Sequence, residues 1–95
     1  MNNYYIYILL CSDNSYYIGV TNNLEKRVLQ HQNGFDLSSY TFNKRPITLV
    51  YDEQFIDIKQ AIEREKQLKK WSRAKKEALV NKDIVKLKNL SKSKN

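Results

Sequence analysis

An α+β domain, with a small three-stranded sheet and flanking helices, is what this sequence predicts. Three observations carry the prediction. Two short runs, Tyr4–Cys11 and Tyr16–Thr21, alternate around a polar turn. A third run, Ile47–Phe55, is rich in β-branched and aromatic residues. Between and after them lie segments with helix caps and 3.6-residue apolar spacing. Ninety-five residues fit a single small domain with one modest core.

The opening strand sets Ile6, Ile8 and Leu10 on one face and Tyr5, Tyr7, Leu9 and Cys11 on the other. The second strand sets Tyr16, Ile18 and Val20 against Tyr17, Gly19 and Thr21. The even-numbered face is the more aliphatic and is expected to carry the main core. Tyr7, Tyr17 and Gly19 share the other face only if the hairpin loop has an odd number of residues. A three-residue loop, Asp13-Asn14-Ser15, meets that condition, because Asn tolerates the left-handed conformation such loops need.

A helix is expected over about Asn23–Gln32, started by Asn22 with Glu25 as a capping box and stopped by Gly34. Leu24 and Val28 mark its buried side; Arg27 and His31, at i and i+4, sit beside it. Residues 33–46 read as a loop holding Tyr40-Thr41 and Lys44-Arg45. After the third strand, Asp57 with Gln60 caps a helix of about Ile58–Trp71. Its stripe of Ile58, Ala61, Ile62 and Leu68 includes Glu65, and a carboxylate there needs a partner. Ser72 caps Arg73–Val80, with Ala74, Ala78 and Leu79 inward, and a short helical segment can follow around Asp83–Leu90. The expected organisation is a domain over residues 1–82 and a basic, partly helical or disordered segment over 83–95.

Charge is unevenly spread. The total is +7. Residues 1–56 hold four Lys/Arg against five Asp/Glu, a net of −1; residues 57–95 hold thirteen against five, a net of +8. One end is therefore strongly cationic and suits a polyanionic partner, although a solubilising surface or solvated tail would look the same. No apolar run reaches the ~20 residues of a membrane span, and no secretory leader is expected. One Cys and one His exclude an internal disulfide and a zinc cluster. A reducing cytoplasm fits, with Cys11 a buried apolar residue.

Each candidate residue has an ordinary reading as well. Strand tyrosines pack; Arg27 can pair with Glu25; His31 can be a cation favoured at a helix C-terminus; Glu65 can pair with Lys69 at i+4. As an ordered set they form a pattern. Tyr5-Ile6-Tyr7, Tyr17-Ile18-Gly19, Arg27-x3-His31 and a glutamate in a late helix resemble the GIY-YIG nuclease family. Arg64 to Lys76 is similar to its small single-domain UPF0213 members, which are similar in turn to the catalytic domain of structure-specific endonucleases. The resemblance spans about Tyr4 to Val80.

It implies a mainly antiparallel three-stranded sheet flanked by helices, and metal-dependent hydrolysis of DNA phosphodiester bonds, with repair or recombination as the expected setting. By resemblance, Glu65 holds one Mg²⁺ or Mn²⁺ ion, Tyr7 is the general base, Tyr17 positions water and phosphate, and Gly19 admits the substrate to the backbone. Arg27 would steady the phosphate and His31 orient water or shuttle a proton. Tyr40 is a further nucleic-acid contact. Lys44, Arg45, Lys69, Lys70, Arg73, Lys75 and Lys76 are expected on the DNA backbone, where contacts carry no sequence information, so structure rather than sequence would be selected. Two departures stand out: Tyr5 replaces the first glycine, and Val20 stands where many members carry a lysine. The alternative is a nucleic-acid-binding module with weak or no cleavage.

Overall fold

The computed structural model describes residues 3–34 and 40–92, so part of the expected 33–46 loop and the last three residues lie outside it. Three strands, β1 (Tyr4–Leu10), β2 (Tyr16–Thr21) and β3 (Thr48–Phe55), form one antiparallel sheet in the order β2-β1-β3. Central β1 has helices against both faces, and Ile6, Tyr7, Ile8 and Leu9 are all fully buried.

The hairpin pairs Tyr7 with Gly19 and Leu9 with Tyr17, so odd positions do face odd ones. The loop is one residue earlier than expected. Cys11 and Ser15 close it (Cys11 N to Ser15 O 2.9 Å), leaving Ser12-Asp13-Asn14 as its three residues. Asp13 explains the shift. Its Oδ1 accepts from the Ser15 amide at 3.0 Å and the Ser15 hydroxyl at 2.6 Å, holding Ser15 at the strand mouth. Asn14 takes the left-handed residue of the turn, with φ 72°.

The even face carries the larger core, Ile6, Ile8 and Ile18 against Ala61, Leu68 and Leu79. The odd face is a second core, where Tyr7, Leu9, Cys11 and Ile47 meet Leu24 and Val28. Helix α1 (Leu24–Asn33) covers this odd side. Its N-cap is Asn23, not Asn22, with the side chain accepting from the Lys26 amide; the third helical position is then Lys26, and no capping box forms with Glu25. Gly34 ends it at φ 63°. A 3₁₀ turn, Phe42–Lys44, precedes β3.

Helices α2 (Ile58–Lys69), α3 (Arg73–Val80) and α4 (Ile84–Lys92) lie on the even side. Asp57 and Ser72 cap α2 and α3, accepting from Lys59 N and Lys75 N. The buried stripe of α2 is rotated from the expected one. Ala61 and Leu68 are sealed, but Ile58 and Ile62 are each 38% exposed. Arg64 turns inward instead, because Glu53 on β3 offers it a bidentate partner: Nε to Oε1 and Nη2 to Oε2, both 3.0 Å. Tyr51 donates to the same carboxylate. Ala74 is exposed, so α3 is held by Ala78 and Leu79 alone of the three expected. Among the described residues no helix is long and apolar enough to cross a membrane.

Candidate active site

Leu24, Val28 and His31 follow a helical stripe, and this carries His31 under the sheet rather than to the surface. It is 4% exposed, so it is no solvated C-terminal cation. The Tyr7 hydroxyl lies 3.0 Å from His31 Nε2, and His31 Nδ1 lies 2.7 Å from Thr41 Oγ1. Burial, then the charge of Arg27, lower the His31 pKa from its ordinary value, so the ring is neutral at neutral pH. A neutral imidazole has one donor and one acceptor. Nε2 accepting from the Tyr7 hydroxyl leaves Nδ1–H for Thr41, an order assigned from the hydrogen-bond network.

Tyr7 is fully buried. Burial first, and the neighbouring Tyr17 second, push its pKa up to about 12, and the Arg27 guanidinium offsets only part of that. The residue expected as general base is thus a phenol sealed from solvent, with its hydroxyl against His31. Gly19 sits directly against the Tyr7 ring. A Cβ there would lie 2.4 Å from the Tyr7 oxygen and 2.6 Å from Cζ. The missing side chain is the space the Tyr7 ring occupies, and Gly19 itself is buried rather than open to a substrate.

Tyr17 is the member of this group that reaches the surface. Its ring centroid is 5.1 Å from His31 and 6.2 Å from Tyr7. Half-exposed Tyr40 stacks on it at 5.8 Å and 25°. Tyr40 is strapped to the hairpin loop. Its hydroxyl donates to Ser15 Oγ at 3.3 Å, Lys44 Nζ lies 4.7 Å above its ring, and Lys44 pairs with Asp13. That ion pair lowers the Asp13 pKa and raises that of Lys44. Lys44 is therefore spent on the strap. Arg45, expected beside it on DNA, folds over Phe42 at 4.7 Å and donates from Nε to the Phe42 carbonyl.

Tyr16, Tyr17, Ile18, Tyr40, Lys69 and Lys76 line an open cleft of about 310 Å³ at the β2 edge. Here the two sheet faces meet, and α2 and α3 add ammonium groups to the aromatic end of the odd-face cluster. Glu65 belongs to α2, which packs on the even-face core, whereas Tyr7 belongs to the odd-face core. Its Oε2 lies 3.1 Å from Lys69 Nζ, which places the carboxylate next to a wall of the cleft. Arg73 lies 4.4 Å over the Tyr16 ring, while Lys75 and Arg64 lie 4.3 and 5.3 Å over Trp71. Lys70 lines a separate groove with Glu63, Lys66, Gln67 and Trp71.

No group of three or more His, Cys, Asp or Glu that could hold a metal occurs among the described residues. A site for a divalent ion would rest on Glu65, whose side chain is 20% exposed. One carboxylate completed by waters and substrate oxygens fits Mg²⁺, which keeps several waters. Sequence reasoning missed Thr41 as the far end of the His31 relay, and Asp13 with Ser15 as the anchor of Tyr40. The Tyr40-Thr41 adjacency was the available signal for the first. Nothing local marked the second.

The family model described as the GIY-YIG catalytic domain matches residues 3–78. A UPF0213 protein of Staphylococcus saprophyticus is 42% identical over 81 residues, covering 85% of this chain and 98% of that one. A UPF0213 protein of Clostridium perfringens is 43% identical over 88 residues, covering 93% and 94%. The solution structure of a UPF0213 protein from Bacillus halodurans matches at 38% identity and TM-score 0.55, covering 83% of each chain. That of an E. faecalis protein matches at 30% identity and TM-score 0.60, covering 90% of each. The family match over residues 3–78, with relatives 42–43% identical across most of both chains, establishes that the chain belongs to the GIY-YIG family.

Proposed function

We propose that this domain is a metal-dependent nuclease that hydrolyses DNA phosphodiester bonds in the cleft at the β2 edge. The observation that carries the reading is that cleft, where solvent-reaching Tyr17 meets Lys69 and Lys76. A phosphate entering it would be held by the two ammonium groups, with the Tyr17 hydroxyl orienting the attacking water. Tyr7 and His31 act from behind, fixing the Tyr17 ring, and Arg27 favours the neutral imidazole that accepts from Tyr7. Glu65 would hold one Mg²⁺ or Mn²⁺ ion, which supplies charge neutralisation on the phosphate and a more acidic bound water.

Lys69 and Lys76 also answer the absence of a lysine at position 20. Val20 packs on the even-face core, the side from which α2 and α3 bring those two cations to the cleft. Phosphate contacts select structure and charge rather than sequence, so branched, nicked or frayed DNA is the expected substrate class, in a repair or recombination setting. The buried thiol of Cys11 suits a reducing cytoplasm.

Purified protein incubated with branched, nicked and linear DNA in Mg²⁺ or Mn²⁺ tests the reading. Cleavage by the wild type and its loss in Glu65→Ala support it; equal inactivity of both on every substrate sinks it. The sealed Tyr7 favours a second reading, a binding module without turnover, which predicts binding that weakens steeply with salt and yields no product.

A further inference from the structure

We propose that Lys69 is an exchangeable counter-cation, occupying Glu65 in the resting protein and releasing it for a divalent ion when a substrate phosphate enters the cleft. The inference rests on the nuclease reading above and adds a control to the same site.

The geometry is asymmetric in the way an exchange requires. Glu65 is largely enclosed, its side chain 20% exposed, whereas that of Lys69 is 54% exposed on a flexible four-carbon stem. Lys69 Nζ sits 3.1 Å from Glu65 Oε2, within the carboxylate's direct reach, and Lys69 is also one of the residues lining the cleft with Tyr17. One lysine therefore borders both the carboxylate and the space for a phosphate. Glu65 is also not part of any group of three or more His, Cys, Asp or Glu that could hold an ion among the described residues. A dication approaching it meets the Lys69 ammonium at close range.

An i,i+4 pair with the glutamate N-terminal to the lysine is favourable but weak, and here its lysine end is open to solvent, so little holds Lys69 in place. A phosphodiester drawn in by Lys76 offers Lys69 an anion of equal charge. Once Lys69 turns to it, Glu65 is left with its negative charge and the phosphate oxygens stand nearby as further ligands. The swap conserves charge, and it makes metal and substrate binding mutually reinforcing. It also discourages a loaded metal centre in the absence of DNA.

The test is a Mn²⁺ titration of the full chain, following the loss of the free aqueous ion's electron paramagnetic resonance signal. Wild type, Lys69→Gln, Lys69→Arg and Glu65→Gln are compared. Each is titrated alone and with a methylphosphonate oligonucleotide carrying one charged linkage, a probe that itself attracts little Mn²⁺. Without the probe, Lys69→Gln should bind Mn²⁺ at least about threefold tighter than wild type, with Lys69→Arg unchanged. The probe should tighten wild-type Mn²⁺ binding by a similar factor and Lys69→Gln by clearly less. Equal affinity of Lys69→Gln and wild type, with Glu65→Gln weakened, overturns the exchange but leaves Glu65 as metal ligand. Mn²⁺ binding unaffected by Glu65→Gln overturns the exchange together with the metal-site reading.

Discussion

Gly19→Ala gives the sharpest test of how the two tyrosine strands are built. The new Cβ would meet the Tyr7 ring at 2.4, 2.6 and 2.9 Å, from Oη, Cζ and Cε1. Ordinary contact begins near 3.4 Å, so ring or strand must give by about 1 Å. A ring tip at the surface would swing aside at little cost. Tyr7 cannot, because it is fully buried and its hydroxyl is held by His31 at 3.0 Å. Overpacking of this kind costs about 1–3 kcal/mol, and losing the buried hydrogen bond adds about 1 kcal/mol. For a domain of this size, a loss of about 2–4 kcal/mol lowers Tm by roughly 10–25 °C. Thermal and urea unfolding measure it directly. In a double-mutant cycle, Gly19→Ala should cost less on a Tyr7→Phe background, where the nearest clashing atom is gone. If Gly19→Ala unfolds within 0.5 kcal/mol of wild type but loses DNA binding, the glycine serves the substrate and the packing argument is wrong.

His31 provides a pH test. Its pKa is lowered on folding, so below about pH 6.5 the unfolded chain takes up the proton more readily and stability falls as pH drops toward the folded pKa. The urea midpoint should decline between pH 7 and 5.5, and less steeply in His31→Gln; parallel profiles would count against a buried neutral imidazole. Arg64→Met leaves Glu53 enclosed without its bidentate partner and should cost about 1–3 kcal/mol. It should also alter the fluorescence of Trp71, over which Arg64 lies. Lys76→Ala should weaken DNA binding on every sequence and lower the slope of log K against log salt by about 1; an unchanged slope removes Lys76 from the phosphate contacts.

How much was legible in the sequence varied with the range of the interaction. Strand alternation and the left-handed Asn14 are local, and both appear where the residues put them. The loop still moved by one residue, because the Asp13–Ser15 hydrogen bonds outweighed the simple count. On α2, periodicity favoured Ile58 and Ile62 as core, but Glu53, eleven residues before Arg64, drew an arginine inward and turned the helix. That pairing crosses from strand to helix and leaves no local pattern. In the site, the shared face of Tyr7, Tyr17 and Gly19 was readable from parity. Which tyrosine would be sealed was not, since that depends on α1 carrying His31 beneath Tyr7. The ordinary reading of Glu65, an ion pair with Lys69, is present in the structure. The pair lies beside the cleft, because Lys69 is one of the cleft's lining residues.

The central claim is that nucleic acid enters the cleft at the β2 edge, and amide-shift mapping tests it most directly. A short single-stranded oligodeoxynucleotide titrated into ¹⁵N-labelled protein at low salt, without metal, should give its largest shifts at residues 16–18, Tyr40, Lys69 and Lys76. Shifts centred instead on the apolar groove of Leu24, Val28, Leu29 and Leu49, or no saturable shifts at all, would contradict it.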